Sequence, residues 1–205
     1  MVLTVFSIAL ALIVLAVLVK PACAKAHCDT MDGPTVKDGI KALETGNINH
    51  AYKWIEPAYE SELKEIFDKS RKVRTLGPDA RELADRVFLE NLVRIHRAGE
   101  GEGFTGLKPH GVPMDEKVAA ADKSIETSSL APMTGLFAPH EMHALENKFH
   151  AAIALKGYDP DDVPAARKYI AAYVDFFKLA EGEEHAPGGH AAHAAGSHHQ
   201  EHGSH

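Results

Sequence analysis

The chain has 205 residues, 45% of them hydrophobic and 25% charged, with 22 Lys+Arg against 29 Asp+Glu, 14 His and 2 Cys. This balance excludes a disulfide scaffold, a collagen-like repeat and a chain disordered throughout, each of which needs a far more biased composition. A formal charge of -7 argues against a nucleic-acid partner, which calls for a basic face to neutralise phosphates.

From Val2 to Val19 every residue is apolar or small except Thr4 and Ser7, and the run ends at Lys20-Pro21 ahead of a group of small residues. The pattern reads as a signal peptide over residues 1–26, which places the mature protein in the periplasm or outside the cell. A retained anchor is the alternative, since about 18 apolar residues approach the length that spans a bilayer. Two A-x-A sites are available, Ala22-Cys23-Ala24 and Ala24-Lys25-Ala26, and we favour cleavage after Ala26. The mature chain then begins at His27, keeps Cys28 as its only cysteine, cannot form an internal disulfide and has no segment for stable membrane insertion. An unpaired cysteine in an oxidising compartment needs burial, a partner chain or a metal to protect it.

Behind this terminus the pattern is helical. Gly33-Pro34 opens a short segment to Leu43, with Thr45-Gly46 as its stop. Asn49 is placed to cap His50 to Ile55, and Pro57 opens a helix with Tyr59, Leu63, Ile66 and Phe67 on one stripe. Gly77-Pro78 starts the next, whose apolar face is read as Leu83, Val87, Leu89, Leu92, Val93 and Ile95, running to His96 and ending at Gly99. The glycine-rich stretch from Gly99 to Pro113 is a loop. A short helix follows from Pro113 to Ile125, then a connector from Ser129 to Ala138. Pro139 opens a helix that ends at Gly157, and Asp159 to Ala180 is the last, with Ile170, Tyr173, Val174, Phe176, Phe177 and Leu179 for the core.

No segment carries the two-residue alternation of a strand, so the stripes must be buried against one another. The expected fold is all-α: an antiparallel helical bundle of about four main helices with a disordered His-rich C-terminal tail. The chain divides into the signal peptide 1–26, an N-terminal hook and short helix 27–46, a bundle 47–183 and the tail 184–205.

The first chemistry lies at the mature terminus, His27-Cys28-Asp29-Thr30-Met31-Asp32-Gly33-Pro34. A terminal amine, an imidazole, a thiolate and the amide between them can close small chelate rings on one ion. Nitrogen and thiolate donors of this kind suit Ni or Cu in a tetragonal site, and Zn in a tetrahedral one. Cleavage after Ala24 would leave no free amine next to His27.

This segment resembles the amino-terminal metal hook of nickel superoxide dismutase, whose mature chain begins His-Cys-Asp and continues into a four-helix bundle. The resemblance covers His27, Cys28, Asp29 and Gly33. It implies metal binding by the terminal amine and imidazole of His27 and by the amide and thiolate of Cys28. The second thiolate of that family falls on Asp32 here, and its proline falls on Met31. Asp32 would be a harder donor, which shifts the expected site towards copper or towards binding without redox cycling. The whole chain is also similar to a family of secreted bacterial proteins that open with this octapeptide and carry Arg94-Ile95-His96-Arg97-Ala98-Gly99-Glu100-Gly101, a family with no assigned activity.

Three further features bear on metal chemistry. His140, His143 and His150 follow metal-ligand spacing on the helix from Pro139, although solvent-facing histidines are common there. His50 and His96 stand alone beside apolar stripes and read as core or surface groups. The Arg94–Gly103 segment has neither dinucleotide nor Walker spacing and reads as a turn held by local ion pairs. The tail carries His185, His190, His193, His198, His199, His202 and His205, half of the protein's 14 histidines, in an irregular spacing suited to capturing Ni, Cu or Zn and releasing it as the imidazoles protonate near a pKa of roughly 6.5. Two functions fit this inventory. One is an exported late-metal sequestration or delivery protein whose partners are metal ions, with homo-oligomers left open; the other is a superoxide-dismutase-like redox enzyme, for which Tyr52 and Tyr59 are candidate proton donors.

Overall fold

The computed structural model describes residues 28–182. The expected signal peptide and cleavage site, His27 and the tail with its seven histidines lie outside the described residues.

Among the described residues seven α-helices follow one another: α1 Pro34–Thr45, α2 Asn49–Tyr52, α3 Glu60–Val73, α4 Pro78–Gly99, α5 Glu116–Thr127, α6 Pro139–Leu155 and α7 Val163–Ala180. Short 3-10 turns at Pro57–Tyr59 and Ala131–Met133 lead into the next elements. The punctuation is that of proline starts and glycine stops. Pro34, Pro78 and Pro139 sit in the first turns of α1, α4 and α6, where a missing N–H costs nothing. Gly46 closes α1 at φ 78° and donates its N–H to the Ala42 carbonyl, a left-handed cap that a side chain would strain. Asp115 and Asp162 cap α5 and α7 by accepting from the Lys117 and Ala165 amides. Asn49 is not a cap. It is the first residue of α2, its amide donates to Asn47 Oδ1 at 3.0 Å, and its side chain donates to Asp161 Oδ1.

The all-α bundle is as expected, with α3, α4, α6 and α7 as its longer members. Helix α3 packs on α4 and α6 on α7, as hairpins joined by short connections, while α1 lies on α4 and α5 on α7. Phe88, Leu92, Ile95, Leu43, Leu63, Leu145 and Phe176 are fully buried and interlock in one core that α1 shares with the bundle. The expected apolar face of α4 needs correction at two positions. Leu83 and Val87 are 66% and 51% exposed, because the core-facing row is Ala84, Phe88, Leu92 and Ile95, spaced at i, i+4, i+8 and i+11.

The only β-type pairing among the described residues is an isolated parallel bridge between Thr30 and Lys108. No described helix is long and apolar enough to cross a membrane.

Candidate metal centre

The chain ahead of α1 is laid against the loop that follows α4. Lys108 N–H donates to the Asp29 carbonyl at 2.8 Å and Met31 N–H to the Lys108 carbonyl at 3.0 Å. Asp32 then accepts from His110 Nδ1 at 2.7 Å and from the Gly111 amide at 2.8 Å. These four bonds hold Cys28 and Asp29 at the C-terminal end of α4.

Helix α4 brings His96 and Arg97 to that spot, and its C-cap residue is Glu100. His96, Arg97 and Asp29 are all buried. Arg97 Nη1 donates to Glu100 Oε2 at 3.0 Å, its Nη2 stands 3.9 Å from Glu102 Oε2, and its Nε lies 3.6 Å from Asp29 Oδ1. The last distance is an ion-pair contact rather than a hydrogen bond, and both atoms are buried without a hydrogen-bond partner. The expected local ion-pair turn is therefore present, but it also reaches across to Asp29.

His96 is oriented by Trp54. Its Nδ1 stands 2.8 Å from the Trp54 carbonyl oxygen, and since a carbonyl can only accept, Nδ1 carries the proton. The lone pair is thereby placed on Nε2, which is buried with no hydrogen-bond partner and has Glu100 Oε2 at 3.7 Å. The Trp54 indole meets the imidazole edge-on at 5.7 Å and 87°, and its own Nε1 donates to Asp38 Oδ2 at 2.8 Å. Ring position and tautomer are both set by neighbours. Burial holds the His96 pKa below its ordinary value, against the pull of Glu100.

Cys28 is half-buried and is the one free cysteine among the described residues. Burial pushes its thiol up to about 12, with the Glu100 carboxylate adding to the rise and a hydrogen bond with Thr35 opposing it. In this state Cys28 is a thiol, not a reactive thiolate. Asp29 is also raised by burial, against the stabilising charge of Arg97. The pocket thus collects a thiol, an imidazole lone pair, the buried Asp29 carboxyl and the partly buried Glu100 carboxyl around the buried Arg97 guanidinium.

A cavity of about 530 Å³ adjoins this cluster, walled by Trp54, Ile55, Pro57, His96, Glu100 and Ile170. One of its cations is already engaged: Arg167 donates to the carbonyls of Ile55 and Tyr52 and to Glu60.

The other expected ligands among the described residues are dispersed. His140, His143 and His150 are exposed on α6, with His150 resting against Phe149 at 5.5 Å. Asp32 uses its carboxylate on the loop, away from the thiol. Among the described residues, no three His, Cys, Asp or Glu side chains stand close enough to hold an ion as they are. Of the candidate donors among the described residues, Cys28 alone lies in the buried polar pocket. The residues missed by sequence reasoning are Asp29, His96, Arg97 and Glu100. Their signal was the His96-x-x-x-Glu100 spacing on one helix face, which carries no chemistry until Cys28 is laid beside it.

The chain belongs to a family of unknown function (DUF6448), whose model matches residues 32–179. The matched span contains His96, Arg97 and Glu100 and begins just after Cys28. No curated protein and no solved structure matches the chain.

Proposed function

For this member of the family we propose binding of one late transition metal ion, Ni or Cu with Zn as the further option, at an exported N-terminus starting His27-Cys28. The His-rich tail serves as a lower-affinity store for the same ions. The observation that carries the reading is the setting of Cys28: a half-buried thiol within reach of the charges of Glu100, Arg97 and Asp29, with Asp29 Oδ1 buried and left without a hydrogen-bond partner. A divalent cation fits such a donor set, because it replaces the thiol proton and neutralises the surplus carboxylate charge. His27 supplies amine and imidazole nitrogen, and Cys28 supplies amide and thiolate.

Sequestration or delivery is favoured over superoxide dismutation. Redox cycling at a nickel hook relies on a second thiolate, and Asp32 at that place is bonded to His110 and Gly111.

The test is intact mass and metal analysis of protein exported by its native route. The expected product begins at His27 and retains about one Ni or Cu per chain through dialysis, while Cys28→Ser loses it. A mature terminus elsewhere, or equal retention by Cys28→Ser, overturns the reading.

A further inference from the structure

We propose that a second cavity, of about 550 Å³ between α1, α5 and α7, binds a small planar aromatic carboxylate, with Tyr158 and Tyr169 against its ring and Lys37 and Lys53 for its acid group. This site is independent of the metal reading and uses none of its donors.

Tyr158, Tyr169 and Tyr173 stand in a row, with centroids 5.2 and 6.3 Å apart and rings tilted by 35° and 32°. Trp54 closes the row edge-on to Tyr173 at 6.1 Å and 89°. Tyr173 is buried and fixed by donating its hydroxyl to Asp122 Oδ1 at 2.7 Å, whereas Tyr158 and Tyr169 are half-buried and line the cavity. Rings held in this way offer flat apolar faces and lose little freedom when a ligand binds. The volume lies within the range of small-molecule sites.

The polar lining selects the charge of the ligand. Lys53 is 7% exposed, a rare setting for lysine. Its Nζ bonds to Asp38 Oδ2 at 2.8 Å and to the Tyr158 hydroxyl at 2.6 Å, and it lies 5.2 and 5.8 Å from the Tyr158 and Trp54 ring centroids. The two bonds take two of its three N–H donors. The Tyr169 hydroxyl makes no hydrogen bond among the described residues, and burial pushes its pKa up to about 12, so it keeps its proton at neutral pH.

Four lysines and three carboxylates line the cavity, in a chain whose net charge is -7. Asp38 and Glu126 are bound to Lys53 and Lys123, and Asp122 accepts from Tyr173. Lys156 spends its donors on the Ile125 and Glu126 carbonyls and on Ser128. Lys37 is exposed, forms no ion pair or hydrogen bond among the described residues, and acts on Asp32 and Glu126 only from a distance. The donors left over are the Lys37 ammonium, one N–H of Lys53 and the Tyr169 hydroxyl. A carboxylate accepts from all three, and an ammonium ligand from none.

The experiment titrates 2-naphthoate into full-length, natively exported protein at neutral pH in the presence of chelator, reading heat by calorimetry. 2-Naphthalenemethanol, 2-naphthylmethylamine and cyclohexanecarboxylate serve as its neutral, cationic and non-aromatic counterparts. One saturable site is expected, at least about tenfold tighter for 2-naphthoate than for any counterpart. Absence of saturable binding, or equal binding of the amine, overturns the proposal. Tyr169→Leu should weaken 2-naphthoate at least about fivefold, and Lys37→Glu at least about threefold at low salt, an effect that fades as salt is added. Lys41→Glu, an exposed change on α1 outside the lining, is the charge control, and an equal loss there would overturn the role of Lys37. Circular dichroism checks folding, and unchanged affinity in both folded cavity variants would overturn the site. A further measurement needs no variant: NMR of wild-type protein saturated with 2-naphthoate should show nuclear Overhauser contacts between the naphthalene protons and the Tyr158 and Tyr169 rings. Their absence contradicts the proposal.

Discussion

Asp32 and His110 lie 78 positions apart and meet through a 2.7 Å hydrogen bond that pins the first described residues to the loop after α4. Hydrogen bonding from His110 and from the Gly111 amide holds the Asp32 carboxyl below the usual carboxylate range. This clasp and the Thr30–Lys108 bridge help to hold the segment that carries Cys28 against the end of α4.

Loosening the clasp should expose the thiol. Asp32→Ala is expected to speed alkylation of Cys28 by iodoacetamide several-fold in metal-free protein. The melting temperature should barely move, since an exposed ion pair contributes little to global stability. Mass spectrometry of timed samples reads the rate; an unchanged rate would mean that the backbone bonds to Lys108 suffice.

The pH dependence of apoprotein stability should carry a histidine signature. Burial lowers the pKa of His96 and of His50, the latter set among Lys41, Lys53, Asp38 and Asp161. The unfolded imidazoles, near a pKa of about 6.5, take up protons before the folded ones do. Stability is therefore full above about pH 6.5 and falls as pH drops below it. Asp29, raised by burial, works in the opposite direction. Thermal melts in chelator from about pH 7.5 to about pH 5.5 should show the decline, and His50→Asn should flatten it; a melting temperature that rises on acidification contradicts this account.

Gly39 lets α1 pack tightly on α4. A Cβ there would lie 2.7 Å from Leu89 Cδ2 and 2.8 Å from Leu92 Cδ2, both on side chains sealed in the core. Alanine gains about 1 kcal/mol in helix propensity, but overpacking costs about 1 to 3 kcal/mol. Gly39→Ala is expected to be net destabilising by urea titration; a stabilised variant would show that α1 shifts freely on α4.

Trp54 is the only tryptophan in the chain, and it touches His96. Its fluorescence should be quenched as the first equivalent of Cu(II) binds. Cys28→Ser should abolish that early phase, whereas deletion of residues 184–205 should leave it intact and remove later, weaker uptake. If the tail deletion removes the first phase as well, the tight site and the store are not separate.

Much of the fold was legible because helices announce themselves locally. Pro34, Pro78 and Pro139 mark starts, Gly46 marks a stop, and apolar spacing marks the buried stripe. Helix α4 shows where that reading is coarse. Its apolar residues cover more than half of the circumference, so period alone admitted Leu83 and Val87 to the face, and only packing against α1 and α3 selected Ala84, Phe88 and Leu92.

The site was legible by halves. Cys28 stood out through chemistry and position, as a lone thiol near an expected processing site. His96 did not, because a histidine on an apolar helix face looks the same whether its second nitrogen is satisfied or left open. That difference is made by the Trp54 carbonyl and by Glu100, and the former comes from a turn 42 positions away.

The linear order of residues decided the all-helical character and the helix starts at Pro34, Pro78 and Pro139, since each depends on interactions within a few positions along the chain, and it supplied the Cys28 sulfur. The tertiary structure alone decided that this sulfur lies with Asp29, His96, Arg97 and Glu100 in one buried polar pocket. Such a pocket exists only once distant segments have closed on each other, and its electrostatics follow from the water they exclude.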